Sequence, residues 1–219
     1  MDHKEKTIIE YITISQEYPD HSIYQKYLKE MEKTSLSKFN EEQVNTIIRP
    51  FLYQWGKMGR VLGREDFIGW ESEVAENVRS NLKTLENFRT QEFLSSSFLD
   101  LKPDIIKSYN SFKNIVDRVA ATKVLHIICP KFFPLWDNAI ATGIGAELVR
   151  LSFKETEVFS GEDYYAFMLG TQGLVKRYEN TFLELSIFYK KSVVKILDDF
   201  LWMVANRPFS LFFREKTEC

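Results

Sequence analysis

The chain of 219 residues has little cysteine, glycine or proline, and each shortage excludes a class of protein. Its two cysteines, Cys129 and Cys219, are far apart, so a disulfide framework is excluded and reduced intracellular thiols are expected, with Cys129 a buried apolar thiol. Nine glycines and six prolines form few turns, which argues against an all-β sandwich and favours long helices. No apolar run approaches the ~18 residues of a membrane span, and none follows the charged N-terminus, so we expect a cytoplasmic protein without a membrane segment.

An excess of either charge is also absent. The 29 Lys and Arg residues and the 31 Asp and Glu residues give a formal net charge of −2. Proteins that bind nucleic acid without sequence preference are usually strongly basic, so any such binding here must come from a local patch. The contents of 44% hydrophobic and 27% charged residues are typical of globular proteins and exclude disordered or fibrous classes.

Apolar residues recur at three- and four-residue intervals along most of the chain, and no convincing alternating strand is present. The pattern predicts an all-α, compact multi-helix globule of roughly eight to ten helices. Asn40 is the expected N-cap of one helix that Pro50 kinks or splits, and Pro103 is expected to open another. Residues 1–219 are interpreted as a single all-α domain, alternatively divided into two helical lobes, about 1–100 and 101–219, with a cleft between them.

Three further features of the sequence are interpreted as mainly structural. The stretch from Trp55 to Arg64 holds three glycines and is predicted to be an irregular connection beside a ligand or a neighbouring helix. Asp198 and Asp199 are expected to be structural, one facing solvent and the other paired with a basic residue. A solvated face, or alternatively a track along a nucleic-acid backbone, is predicted for the basic residues of the last third, Lys176, Arg177, Lys190, Lys191 and Lys195.

Lys123 is the predicted nucleophile. A helix break is expected at Ala120-Ala121, with Thr122 as the N-cap of a short helix that ends at Cys129. This places Lys123 in the first helical turn, beside an apolar wall. Both the positive end of the helix dipole and the apolar surroundings lower the pKa of an amine, and a neutral amine is a nucleophile.

Asp137 is the predicted partner of Lys123. It follows a stiff segment with two prolines, Pro130 and Pro134, and precedes a helix expected to run towards Arg150. As an N-cap it is held ionised by backbone N–H groups. A helix followed by a stiff turn allows Lys123 and Asp137 to meet at the mouth of one cleft.

These residues resemble the core of the helix-hairpin-helix DNA glycosylases, and most closely the lyase branch exemplified by 8-oxoguanine DNA glycosylase. The likeness covers a helical hairpin that ends in Thr122-Lys123-Val124, a short helix, and a proline-containing turn that ends in Asp137. It implies that Lys123 attacks the anomeric carbon of a flipped, damaged nucleoside and that Asp137 supports charge development and deprotonation of the lysine. The family's Gly-x-Gly hairpin turn, which binds a DNA phosphate, is replaced here by Val119-Ala120-Ala121.

The implied function is a DNA repair-type N-glycosylase with associated AP-lyase activity on a damaged base, working through a lysine Schiff base as a monomer without a cofactor. DNA, single- or double-stranded, is the expected partner. No histidine or cysteine pair has metal-ligand spacing, so no metal site is expected. Further site candidates are Trp136, Phe133, His126 and Trp55 for the base or its pocket, and Arg118, Lys131 and Arg60 for the DNA backbone.

Two alternatives remain open from the sequence. A non-enzymatic helical module on the same scaffold, binding a protein or a nucleic acid, is favoured by the missing glycines and the slightly acidic charge. An enzyme that uses the lysine and aspartate cleft on a small molecule or nucleoside, without DNA, is the third interpretation.

Overall fold

Helices account for all regular secondary structure in the computed structural model, which describes residues 3–17, 21–143 and 159–206. The all-α prediction is therefore confirmed for this part of the chain. Two 3₁₀ turns, Leu36–Lys38 and Glu65–Phe67, and two π-helical segments, Val44–Ile48 and Phe51–Trp55, accompany the α-helices. In the described residues there are twelve α-helices: α1 (His3–Ser15), α2 (His21–Glu32), α3 (Glu41–Gln43), α4 (Gly59–Leu62), α5 (Trp70–Ser80), α6 (Leu82–Thr90), α7 (Phe98–Val116), α8 (Arg118–Ile128), α9 (Asn138–Thr142), α10 (Gly161–Arg177), α11 (Glu179–Tyr189) and α12 (Val193–Asn206).

The helix after Asn40 begins as predicted and continues past Pro50. The Asn40 side chain accepts a hydrogen bond from the Glu42 N–H at 2.8 Å, and the Gln43 side chain accepts one from the Asn40 N–H at 3.0 Å. The predicted split at Pro50 does not occur, because π-helical segments on both sides of Pro50 continue the helical path to Trp55. The wider π turn tolerates a residue that lacks an N–H and crowds the preceding turn.

The helical hairpin lies earlier in the chain than predicted. Helix α7 begins at Phe98, so Pro103 lies inside it rather than opening it. Helix α8 runs unbroken from Arg118, and its N-cap is Asp117, whose φ is 111° and whose carboxylate accepts from the Val119 N–H at 2.8 Å. The expected break at Ala120-Ala121 and the expected N-cap at Thr122 are therefore wrong. Alanine is the strongest helix former, so a pair of alanines does not end a helix.

Helix α8 lies at the centre of the packing. Helix α7 contacts α5, α8 and α10, while α12 contacts α1, α9 and α11. Every residue from Val119 to Cys129 is buried except Lys123, which is half-buried. The buried side chains of both halves of the chain form one apolar cluster, and the division into two lobes stays a prediction. After the exposed Arg118 at its start, Lys123 is thus the one residue of α8 that is not fully buried.

Helix α9 ends at Thr142 with Gly143 as its C-cap, so the helix after Asp137 ends earlier than the expected run towards Arg150. Residues 144–150 and Cys219 lie outside the described residues. Between α11 and α12, Lys190 takes a left-handed conformation with φ 54°. Lys176, Arg177 and Lys190 are exposed as expected. Among the helices in the described ranges, none has the length and apolar character needed to cross a membrane.

Candidate active site

A cavity of about 380 Å³ brings together charged and aromatic side chains from both halves of the chain. Its volume lies within the range of roughly 300–1,000 Å³ that is common for small-ligand sites. Helices α1, α8 and α12 contribute, together with the segment after the second π-helix and the loop before α9. The lining residues are Ser15, Trp55, Gly56, Lys57, Lys123, Leu135, Asp137, Lys195, Asp198, Asp199 and Trp202.

Lys123 reaches this cavity from the middle of α8. Its Nζ donates a hydrogen bond to the backbone carbonyl oxygen of Gly56 at 2.6 Å, and it forms no salt bridge within the described ranges. Burial lowers the pKa of Lys123 below its ordinary value, and the negative charge of Asp137 acts in the opposite direction. The lowered pKa agrees with the sequence prediction, but its cause is burial, since Lys123 is not in the first turn of α8.

Asp137 lines the same cavity and caps α9, as predicted. One carboxylate oxygen accepts from the Ile140 N–H at 2.9 Å. Asp137 and Lys123 do not form a salt bridge with each other, which leaves the amine and the carboxylate both directed to a shared space. The structure therefore brings the two predicted catalytic residues to one cavity without letting them neutralise each other.

The loop between α8 and α9 holds Asp137 in place. Trp136 donates its backbone N–H to the Thr122 hydroxyl at 3.3 Å, and the Tyr164 hydroxyl donates to the Pro134 carbonyl oxygen at 2.7 Å. These bonds tie both ends of the Pro134–Trp136 segment to buried helices. The chain thus returns to the middle of α8, at the level of Lys123, before α9 begins.

His126 lies in the core and not in the cavity lining. Its Nδ1 is 2.7 Å from the Phe133 carbonyl oxygen, which only accepts, so Nδ1 carries the proton and Nε2 accepts from the Tyr24 hydroxyl at 2.8 Å. Burial lowers the pKa of His126 to about 4. The imidazole is therefore neutral and fully hydrogen-bonded, which suits a structural link between α2, α8 and the loop.

The aromatic candidates separate into core and cavity residues. Phe133 and Trp136 are buried, and the Trp136 ring stacks on Phe167 with centroids 5.2 Å apart. Neither lines the cavity, so they do not meet a ligand there. Trp55 does line it, and so does Trp202 of α12, which sequence reasoning missed. The available signal for Trp202 was its position four residues after Asp198, on the same face of one helix.

A buried charge cluster, also missed, forms the α12 side of the cavity. Lys195 Nζ donates to Asp199 Oδ1 at 2.6 Å and to Asp198, and Lys191 Nζ donates to Asp199 Oδ2 at 2.8 Å. The Lys195 side chain is only 4% exposed, so the predicted solvated face is wrong for Lys191 and Lys195. The expected pairing of an aspartate with a basic residue is confirmed, but both carboxylates are buried and neither faces solvent.

The cluster keeps Lys195 charged. Burial acts to lower the pKa of Lys195, but Asp198 and Asp199 outweigh it and raise the pKa. Burial raises the pKa of Asp198. For Asp199, burial acts to raise the pKa, and the positive charges of Lys195 and Lys191 reverse this and lower it. Lys195 is therefore a cation held in place, and not a free base.

The three backbone-binding candidates lie in different places. Arg60 is exposed in α4, directly after the Gly56-Lys57 cavity wall. The Arg118 guanidinium lies 4.2 Å from the centroid of the Phe159 ring and donates to Asn138, the neighbour of Asp137. Lys131 is paired with Glu92 at 2.9 Å and does not line the cavity. None of the three lines the cavity, but Arg60 follows the lining residue Lys57 by three residues and Arg118 contacts the neighbour of Asp137.

Neither metal-ligating residues nor similar proteins identify a role for this cavity. Within the described residues, no group of three or more His, Cys, Asp or Glu side chains is arranged to hold a metal ion. Comparison of the chain with protein-family models, curated proteins and solved structures finds no match.

Proposed function

We propose that the protein is a DNA N-glycosylase with AP-lyase activity on a damaged base, in which Lys123 is the amine nucleophile and Asp137 its electrostatic partner. The observation that carries the proposal is the shared cavity. Lys123 and Asp137 both line it without forming an ion pair, and burial lowers the pKa of Lys123. An amine whose pKa is lowered and a carboxylate that lines the same cavity suit substitution at a sugar carbon.

Breaking the glycosidic bond is the first step. The bond from the anomeric carbon to the base nitrogen breaks, its electron pair leaves with the base, and positive charge develops on the sugar. The Asp137 carboxylate stabilises that charge, since it lines the cavity and is held by its cap to α9. Two tryptophans line the cavity; because Trp55 stacks on Phe51 and has Lys195 Nζ 5.3 Å from its ring centroid, Trp202 is the candidate to contact an extruded base.

The second step uses the lysine. In its neutral form the Lys123 amine adds to the anomeric carbon and gives up one proton. The bond between the ring oxygen and the anomeric carbon then breaks, the ring oxygen keeps the electron pair and takes up a proton, and a protonated imine to Lys123 forms. Water takes a proton from the adjacent sugar carbon, a carbon–carbon double bond forms, and the 3′ phosphate leaves with the electron pair of its bond, which cleaves the strand. The Gly56 carbonyl accepts one N–H of Lys123 and so fixes the direction of the amine. Gly56 is therefore a positioning residue for the nucleophile.

Borohydride trapping tests this proposal. The protein is incubated with labelled oligonucleotides that carry 8-oxoguanine, uracil or an abasic site, and sodium borohydride reduces any imine to a stable cross-link. We expect a cross-link with the wild type and with Lys176→Gln, an exposed lysine at the end of α10. Lys123→Gln should form none, because it has no amine. No cross-link with any of the three substrates would remove the lyase function.

A non-catalytic nucleic-acid-binding module is the second candidate. The specific observation in its favour is a departure from the glycosylase pattern: the Asp117 carboxylate caps α8 where the hairpin of a glycosylase would hold a phosphate, which argues against catalysis of the glycosylase type. If oligonucleotide binding persists in Lys123→Ala and the wild type shows no turnover, this candidate replaces the first.

A further inference from the structure

The N-terminus of the hairpin helix is closed to phosphate. A helix N-terminus attracts anions through its free N–H groups. In α8 the Asp117 carboxylate accepts from the Val119 N–H at 2.8 Å, and its negative charge stands where a phosphate would bind. A strand whose base enters the cavity therefore needs phosphate contacts from another part of the cavity edge.

The segment from Lys57 to Arg64 supplies cations at that edge. Gly56 and Lys57 line the cavity, and two exposed arginines follow, Arg60 in α4 and Arg64 in the extended link directly before the 3₁₀ turn Glu65–Phe67. Neither arginine has a hydrogen bond or ion pair to any described residue. Other exposed arginines are engaged, since Arg49 pairs with Glu71 and Arg79 with Glu76.

The backbone of this segment is fixed relative to Lys123. A Cβ on Gly56 would lie 2.7 Å from the Leu52 carbonyl oxygen, and the Met58 N–H donates to that same oxygen at 2.9 Å. The Gly56 carbonyl in turn accepts from Lys123 Nζ at 2.6 Å. A phosphate held by this segment would therefore stand at a defined distance from the nucleophile.

We propose that residues 57–64 form the phosphate-binding edge of the cavity, with Arg60 and Arg64 contacting the phosphates beside the nucleotide whose base enters it. This inference rests on the proposed function and adds the element that holds the strand. One guanidinium group can donate two parallel hydrogen bonds to two oxygens of the same phosphate, which suits binding to a polynucleotide backbone. Glu65 and Asp66, exposed in the following 3₁₀ turn, end the basic stretch.

The salt dependence of binding tests the inference. The dissociation constant of a fluorescein-labelled single-stranded oligonucleotide with a tetrahydrofuran abasic analogue is measured by anisotropy at several salt concentrations. The variants are Arg60→Gln/Arg64→Gln and the control Lys83→Gln/Lys107→Gln, which removes two exposed positive charges from α6 and α7, away from the cavity lining. Melting temperatures confirm folding, and both variants should melt with the wild type because all four side chains are exposed.

Each phosphate contact on a single strand contributes about 0.7 to the slope of log affinity against log salt. We expect the slope of the Arg60/Arg64 variant to be shallower by about 1.4, which corresponds to ~25-fold weaker binding at 0.1 M salt if affinities are equal at 1 M. The control should keep the wild-type slope. Equal slopes for the two variants would overturn the inference, while borohydride trapping by the wild type would leave the proposed function standing. A wild type that neither binds nor is trapped would overturn both.

Discussion

Lys123 and Lys195 line one cavity from two different helices, and their electrostatic surroundings are opposite. Lys123 on α8 has a backbone carbonyl as its hydrogen-bond partner, whereas Lys195 on α12 donates to two carboxylates. Burial acts to lower the pKa of both amines, but the paired aspartates raise the pKa of Lys195. The comparison teaches that burial alone does not set the pKa of a lysine, because the carboxylate partners decide whether that pKa is lowered or raised.

Replacing each lysine by methionine gives the largest expected difference. Lys195→Met removes the cation that pairs with Asp198 and Asp199 and leaves both carboxylates buried. Removing one partner of a buried ion pair lowers the free energy of unfolding by about 3–5 kcal/mol. Lys123→Met removes one hydrogen bond to Gly56 and should cost about 1 kcal/mol. Urea unfolding of both variants measures the two losses. Equal losses would show that the two lysines are not electrostatically different.

The pH dependence of the free energy of unfolding tests the surroundings of Lys195, through the neighbouring residues Tyr24 and His126. The centroid of the Tyr24 ring lies 5.3 Å from Lys195 Nζ, and the Tyr24 hydroxyl donates a hydrogen bond to His126. Protonation of His126 would therefore place a second cation near Lys195. The folded pKa of about 4 is below the unfolded value of 6.5, so the unfolded chain takes up the proton first as the pH falls.

Stability should therefore decrease by about 3 kcal/mol as the pH falls from 6.5 to 4, with no contribution from His126 above that range. The comparison of wild type with His126→Gln isolates this contribution from the carboxylates, since the glutamine does not titrate. Chemical denaturation at each pH provides the measurement. Parallel curves for the two proteins would contradict a buried neutral histidine.

A substitution at Gly56 tests how the backbone positions Lys123, and its expected effect on stability is smaller than the effects above. The added methyl of Gly56→Ala would stand 2.7 Å from the Leu52 carbonyl oxygen, so the backbone that holds Lys123 must shift. We expect a loss of about 1–3 kcal/mol in stability and slower cross-link formation. Gly173→Ala is the matched control, because nothing lies within 4 Å of its added methyl and helix propensity favours alanine. Cross-linking at the wild-type rate in Gly56→Ala would argue against a positioning role.

The fold class and both helix caps were accessible from sequence because they depend on local signals. Apolar periodicity predicts helices, and a short polar side chain before an apolar run predicts the caps at Asn40 and Asp137, which the structure confirms. The hairpin position was missed, although Asp117 carries the same cap signal, because Thr122 offers a competing N-cap and no glycine marks the positive φ of Asp117.

The Lys195 cluster shows a second limit. A lysine three and four residues before two aspartates is also the pattern of an exposed helical ion pair. Its burial depends on Tyr24 and Trp55, whose rings both lie 5.3 Å from Lys195 Nζ and come from distant parts of the chain. Sequence reasoning therefore selected Lys123, which lines the cavity, and missed the paired cation Lys195 in the same lining.

Mass spectrometry of the reduced cross-link tests the central claim most directly. The wild-type protein is trapped with borohydride on an oligonucleotide that carries an abasic site, digested, and the modified lysine is identified. The account predicts that the sugar remnant is on Lys123, because its pKa is lowered and it has no carboxylate partner. Modification of Lys195 or Lys57, the other two lysines of the cavity, with Lys123 unmodified, would contradict it.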